Sequence, residues 1–204
     1  MTSALFSPIA LRGLTLNNRV VVSPMCQYES NDGSANDWHL MHLGGLSMGA
    51  AGLIIVEMTN VSMAGRISPR CATLCTDDNE AAIKRVVDFC KTFGVAKIGV
   101  QIAHAGRKAS TNPPALGGKP LTPEEGAWET LAPSAIPFGD GWPTPRAMTL
   151  DDIKTCIAQH VDSVARADRV LAHLSASRRA AQSPPVRAAR SSRFVRLAQG
   201  EAAF

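Results

Sequence analysis

Short, continuously apolar runs alternate along this chain with stretches whose apolar residues recur at helical spacing, and no other feature restricts its fold as strongly. The first run, Arg19 to Met25 (RVVVSPM), is β-branched and closes on Ser-Pro, where proline can no longer donate to a ladder. After a polar loop, Gln27 to Asn36, the positions Trp38, Leu40, Met41, Leu43, Leu46 and Met48 predict a helix with Asp37 as its cap and a break at Ala50-Ala51-Gly52. Leu53 to Val56 (LIIV) is too short for a helix and apolar throughout, as in a parallel strand covered on both faces, and Glu57 marks its expected end. Asp78 to Phe93 carries Ala82, Ile83, Val86, Val87, Phe89 and Cys90 on one side and predicts a second helix stopped by Gly94. Ala96 to Ile102 reads as a third strand.

From His104 to Met148 the chain holds eight prolines and no strong periodicity, the mark of a functional loop or excursion. Thr149-Leu-Asp-Asp152 then resembles a capping box with Asp in place of Glu. It opens an amphipathic helix through Ile153, Ile157, Val161, Val164 and Ala165 to about Val170. Three strand-loop-helix units imply an α/β fold with a parallel sheet and right-handed crossovers, and periodicity leaves both a doubly wound sheet and a β/α barrel open. A complete (β/α)8 barrel takes roughly 250 residues, so a fourth strand is expected after the Thr149 helix.

Residues 171–204 depart from that pattern. They carry six arginines against one acid, Glu201, so the net charge of +4 on 204 residues is concentrated there and residues 1–170 are close to neutral. This Arg/Ala/Ser-rich tail, with Pro184-Pro185, is expected to be disordered or translated out of frame, and residues 1–170 to form the folded domain. Such a tail attracts phosphates non-specifically, but its aromatics are only Phe194 and Phe204, and no specific nucleic-acid partner is expected. The amino terminus has no basic stretch leading into an apolar one, and the apolar segment Leu43 to Val56 is interrupted by four glycines and falls short of the roughly 20 residues of a membrane span. A cytoplasmic location, no membrane association and reduced thiols at the five irregularly spaced cysteines are therefore expected.

The chemistry-bearing residues lie in short motifs. Leu5-Phe6-Ser-Pro8, Leu16-x-Asn18-Arg19-Val20, Ser23-Pro24-Met25-Cys26-Gln27-Tyr28, Val56-Glu57-Met58-Thr59, Gly65-Arg66-Ile67, Gln101-Ile-Ala-His104-Ala-Gly-Arg107-Lys108 and Ala132-Pro133-Ser134 follow one another in this order. In order and spacing they resemble the amino-terminal half of Old Yellow Enzymes, NADH:flavin oxidoreductases, and most closely the thermophilic-like ene-reductases that carry an active-site cysteine. The resemblance implies an incomplete (β/α)8 TIM barrel with FMN across the carboxyl ends of its strands, NAD(P)H as reductant and an enone-type substrate. It implies catalytic roles for Cys26, which tunes the flavin, and Tyr28, which lines the substrate pocket and can hydrogen-bond a carbonyl. Cofactor contacts fall to Ser23, Pro24, Met25, Cys26, Met58 and Gln101, and Lys108 lies near the cofactor or the pocket rim. A flavin edge offers amide-like donors and acceptors, and the Gln101 amide and the backbone at Pro24 to Cys26 and Met58 supply both.

Each residue also has a plainer reading. A lone cysteine after a strand is commonly a buried hydrophobe, and a lone glutamine an ordinary strand terminus. His39 and His42, three apart on a helix, are better read as packed or solvated histidines than as metal ligands. Cys71-x3-Cys75 lacks the second pair that a zinc site requires. No G-x-G-x-x-G fingerprint follows a strand. The histidine pair, arginine and phosphate-binding segment of later strands in the family have no counterpart here. His173 stands where that region should begin, without the His-Gly-Tyr that should follow it. The alternative to an ene-reductase is a non-catalytic half-barrel fragment that either misfolds or pairs with another half barrel through its exposed edges as an interaction module.

Overall fold

The computed structural model describes residues 3–172, and the expected tail lies outside them apart from its first two residues. A hairpin of β1 (Ile9–Leu11) and β2 (Leu14–Leu16) precedes β3 (Val21–Val22), α1 (Asp37–Met48), β4 (Leu53–Asn60), α2 (Asp77–Phe93) and β5 (Lys97–Ala103). A small parallel pair, β6 (Leu131–Ala132) and β7 (Arg146–Ala147), lies within the long excursion and is followed by α3 (Leu150–Ala172). Strands β3, β4 and β5 form one parallel sheet in chain order, with Val22 against Ile54 and Ile54 against Ile98. Consecutive parallel neighbours joined through helices are the repeating unit of α/β folds.

The helices cover one face of that sheet. Val56 of β4 is buried with Leu43 of α1, Ile83, Val86, Val87 and Cys90 of α2, and Ala167 and Val170 of α3. Each fully buried valine or isoleucine contributes about 1.5–3 kcal/mol. The buried Ser163 hydroxyl donates to the Leu74 carbonyl at 2.9 Å and pins α3 beside the loop after β4.

The ends of the elements follow local chemistry. Thr149 and Asp152 form the expected box at α3: Thr149 Oγ1 accepts from the Asp152 amide at 3.2 Å, and Asp152 Oδ2 accepts from the Thr149 amide at 2.8 Å. Gly94 ends α2, as expected, with its N–H on the Cys90 carbonyl, and Thr76 caps the start, its side chain accepting from the Asn79 amide. Asp37 is not the cap of α1; Asn36 is, and His39 at the third helical position closes the box by accepting the Asn36 N–H at 3.1 Å.

Three further expectations are corrected. The first strand is only two residues long, Val21–Val22, and its pairing with β4 stops at Val22 opposite Ile54. Glu57 does not end the second strand, since β4 runs on to Asn60 with a register shift between Val56 and Met58. The apolar row expected to bury α3 faces outward: Ile153, Ile157 and Val161, with Leu150, are exposed, and Ser163, Ala167 and Val170 make the packed face instead. The segment 104–148 holds three single 3-10 turns besides β6 and β7.

Candidate flavin and substrate site

All the sequence-predicted site residues gather at the carboxyl half of the three parallel strands. Ser23, Pro24, Met25, Cys26 and Tyr28 lie on the loop that leaves β3, Met58 lies in β4, and Gln101 lies in β5. In the strand pairing Val56 faces Val100, and the next partners are Met58 and Gln101. Glu57 is the extra residue of a β-bulge; in an unbroken register Glu57, not Met58, would stand against Gln101. Bulges of this kind re-aim side chains beside functional sites. Neither Met58 nor Gln101 is the last residue of its strand, but both sit at the end from which the site loops depart.

Gln101 is half-buried and its amide makes no side-chain hydrogen bond to any described residue, so it has both donor and acceptor to offer a ligand. Cys26 is half-buried as a free thiol. Desolvation foremost, then the neighbouring Cys71 and Glu57, push its pKa up to about 12 against the opposing pull of the Met58 backbone N–H and the Lys108 ammonium. Cys26 is thus a protonated thiol at neutral pH and lacks the thiolate that a nucleophile needs. Tyr28 is pushed up to about 12 by burial and by Cys26, Cys71 and Glu57, which leaves its hydroxyl a hydrogen-bond donor. Met25 and Ser23 are exposed, and with Gln27, His39 and Glu57 they border one small cavity between the loop, α1 and β4.

The other motif residues build the scaffold of this site. Asn18 Oδ1 accepts the amides of Val20 and Gly52 at 3.0 and 2.8 Å, and its Nδ2 donates to the Ala50 carbonyl, which ties the start of β3 to the start of β4. Arg107 donates to the Ile136 carbonyl and Ser134 Oγ, so the segment after β5 is fastened to the Ala132-Pro133-Ser134 turn. Arg66 lies over the Trp128 ring at 5.5 Å, and Trp128 Nε1 donates to the Ala64 carbonyl at 2.9 Å. Lys108 lies over the Phe138 ring at 5.9 Å.

Sequence reasoning missed the group beneath the site. Glu57 is 3% exposed and His39 1%, with Glu57 Oε1 at 3.0 Å from His39 Nε2. The approach lies off the hydrogen-bond direction, and Glu57 Oε1 has no directional partner. Glu57 Oε2 accepts the Gln27 amide at 3.0 Å. The available signal was a single carboxylate following LIIV, since an acid carried into a core needs a partner. His39 is a packed histidine, as its plainer reading had it. Cys71 is buried with Ser68, whose N–H lies 3.4 Å from its sulfur.

The sequence profile of the NADH:flavin oxidoreductase / NADH oxidase family matches residues 4–172. The chain is 41% identical over 171 residues to an NADPH dehydrogenase of Geobacillus thermodenitrificans, covering 83% of this chain and 46% of that protein. It is 42% identical over 157 residues to an NADH:flavin oxidoreductase of Gibberella zeae, covering 75% of this chain and 38% of that one. Among solved structures, morphinone reductase in complex with tetrahydroNAD superposes with a TM-score of 0.67 at 28% identity, over 83% of this chain and 47% of that one. An Old Yellow Enzyme from Pichia sp. gives 0.69 at 25% identity, over 82% and 43%. The chain spans about half the length of the curated relatives it matches, or less.

Proposed function

The chain belongs to the NADH:flavin oxidoreductase / NADH oxidase family, and from that premise we propose that it is the front part, about three βα units, of an FMN-dependent NAD(P)H oxidoreductase that reduces the activated C=C bond of enone-type substrates. The observation that carries this reading is the convergence of Cys26, Met58 and an unengaged Gln101 amide at one end of the parallel sheet. That is the end at which α/β barrels build their sites. FMN bound there supplies hydride transfer between a nicotinamide and the substrate.

The chain's own residues bind and orient. Gln101 offers one donor and one acceptor to the amide-like flavin edge, alongside the backbone of Ser23 to Cys26 and of Met58. Cys26, held as a neutral thiol, would line the flavin site without adding charge. The Tyr28 hydroxyl donates to the substrate carbonyl and draws electron density from the conjugated double bond. The test is FMN titration followed by flavin absorbance and fluorescence, then NADPH oxidation with a simple cyclic enone as acceptor. Yellow protein that consumes NADPH only when the enone is present supports the reading, and a chain that takes up no FMN sinks it.

A second reading is favoured by the outward apolar row on α3 and by the single-sided pairing of β3 and β5. Among the described residues β3 and β5 each have β4 alone as sheet partner, and Val21, Ile157 and Val161 are exposed. On this reading the chain is a non-catalytic half barrel that self-associates through its edges. Sedimentation at several concentrations separates the two: a colourless assembly supports the second, a flavin-bearing monomer the first.

A further inference from the structure

Tyr28 has the backbone conformation least expected of an aromatic residue, with φ at +56°. The left-handed region costs an L-residue roughly 1–2 kcal/mol and persists only where surroundings over-determine it. The holding contacts stand on both sides of it. On one side the Gln27 amide donates to Glu57 Oε2 at 3.0 Å. On the other, Ser30 Oγ is 3.3 Å from His39 Nε2, and the Ser30 amide donates to the Arg70 carbonyl at 3.0 Å. Asn36 Nδ2 donates to the Glu29 carbonyl at 2.6 Å. Glu57 and His39 are themselves paired, so one buried contact holds residues 27 and 30 from beneath.

The parts come from three elements. Glu57 is the inserted residue of the bulge in β4, which takes it out of the row facing Gln101 and brings its carboxylate under the loop. His39 is fixed by its role in the cap of α1: Nδ1 lies 3.1 Å from both the Asn36 amide and Asn36 Oδ1, and Nε2 faces Ser30 and Glu57. Placing a carboxylate in a core is costly unless its contacts compensate, and a partner removed from such a pair leaves a strained charge behind.

We infer that the Glu57–His39 pair is a positioning clamp that fixes the loop from Gln27 to Ser30 and so presents the Tyr28 hydroxyl and holds the adjoining Cys26 in place. The functional meaning of this clamp rests on the flavin reading above; its physical action on residues 26–28 does not. Cys71, Glu57 and Lys108 are the titratable groups whose fields reach Cys26. The first two disfavour its thiolate and Lys108 favours it.

Glu57→Gln and His39→Gln weaken the two sides of the clamp in turn. The readouts are the alkylation rate of Cys26 at about pH 8 and chymotryptic cleavage after Tyr28, both followed by peptide mass, with Cys90 in the helical core as internal control. Glu57→Gln, which replaces the charged acceptor of the Gln27 amide by a weaker neutral one, is expected to alkylate Cys26 about threefold faster as the loop opens more often. His39→Gln, which keeps the carboxylate and removes the ring, is expected to raise cleavage after Tyr28 about tenfold. In both variants Cys90 stays protected. Unchanged rates at Cys26 and Tyr28 overturn the clamp, and so does an equal rise at Cys90, which reports general loosening. Should Glu57→Gln fail to fold, His39→Gln decides by itself. FMN titration of the unaltered chain is scored separately, so a loss of flavin binding there removes the reading above and leaves the clamp to its own data.

Discussion

Met58 stands opposite Gln101 in the pairing of β4 with β5, one residue out of the register that joins Val56 to Val100. The offset is one inserted residue, and that residue is the buried acid Glu57. A single bulge therefore does two things: it sets a backbone segment beside the unengaged Gln101 amide, and it sends a carboxylate under the loop bearing Cys26 and Tyr28.

Since Gln101 makes no internal side-chain hydrogen bond to a described residue, replacing it should spare the fold and spoil the ligand. Gln101→Leu is expected to weaken FMN binding about tenfold, the worth of one or two hydrogen bonds, with a melting temperature close to that of the unaltered chain. Equal FMN affinity in the two proteins, measured by fluorescence titration, would remove Gln101 from the site.

Much of the sheet and helix order was legible because burial there is periodic. Ile83, Val86, Val87 and Cys90 repeat at helical spacing and are buried, and Thr149 with Asp152 announces α3 through side-chain chemistry local to the cap. What escaped depended on partners distant in sequence. Glu57 reads as a strand end until His39, eighteen positions earlier, is seen beside it. His39 likewise gives no local sign that it closes the cap begun by Asn36. The outward row on α3 misled for a different reason: Ile153, Ile157 and Val161 are as apolar as a core face, but the described residues place Ser163, Ala167 and Val170 against α2 and the loop after β4. Of the candidate site, the placement of Cys26 after β3 and of Met58 and Gln101 in the carboxyl halves of β4 and β5 followed from the order of apolar runs, whereas the bulge that aligns Met58 with Gln101 did not, because it leaves that order unchanged.

Two glycines should respond in opposite directions to alanine. At Gly52 a methyl group would press into the Asn18 backbone carbonyl while the Gly52 amide is held by both the Val20 carbonyl and Asn18 Oδ1. Gly52→Ala is expected to cost about 1–3 kcal/mol, as forced overpacking does. Gly45, inside α1, has nothing within 4 Å of the same methyl, so Gly45→Ala should add about 0.4–1 kcal/mol by limiting the unfolded chain. Urea midpoints at constant slope report both, and a stabilising Gly52→Ala would contradict the contact with Asn18.

Alkali should unfasten the site loop. Cys26 and Tyr28 each hold their proton more tightly folded than unfolded, with pKa values near 12 against ordinary values of 9.0 and 10.0. Folded-state values raised in this way give stability that is complete below about pH 9 and is lost as pH climbs through about 12. Cys26→Ser, which removes the thiol's share, should therefore show a smaller fall in urea midpoint between about pH 8 and about pH 11 than the unaltered chain. An identical fall in both would mean that the Cys26 thiol does not hold its proton more tightly in the folded chain than in the unfolded one.

Acid should instead release α3. Arg169 grips Glu80 with Nε on Oε1 and Nη2 on Oε2, both at 2.7 Å, and Arg166 Nη1 reaches Asp77 at 2.7 Å and Glu80 at 3.0 Å. The Arg169 hydrogen bonds, foremost, hold the Glu80 carboxyl below its ordinary value of 4.5, and those of Arg166 do the same for Asp77 against 3.8. A depressed folded-state value gives stability that is present above the unfolded value and disappears as pH falls through the folded one, so the loss begins near pH 4.5 and deepens below it. Glu80→Gln should lower stability by about 1 kcal/mol near neutrality, the upper range for ion pairs at a surface. The gap between variant and unaltered chain should close both on acidification and at about 0.5 M salt, where surface charges are screened. A gap that persists under both conditions would show that Glu80 acts through packing and hydrogen-bond shape, leaving the charge of the Arg166–Arg169 pair without a part in docking α3.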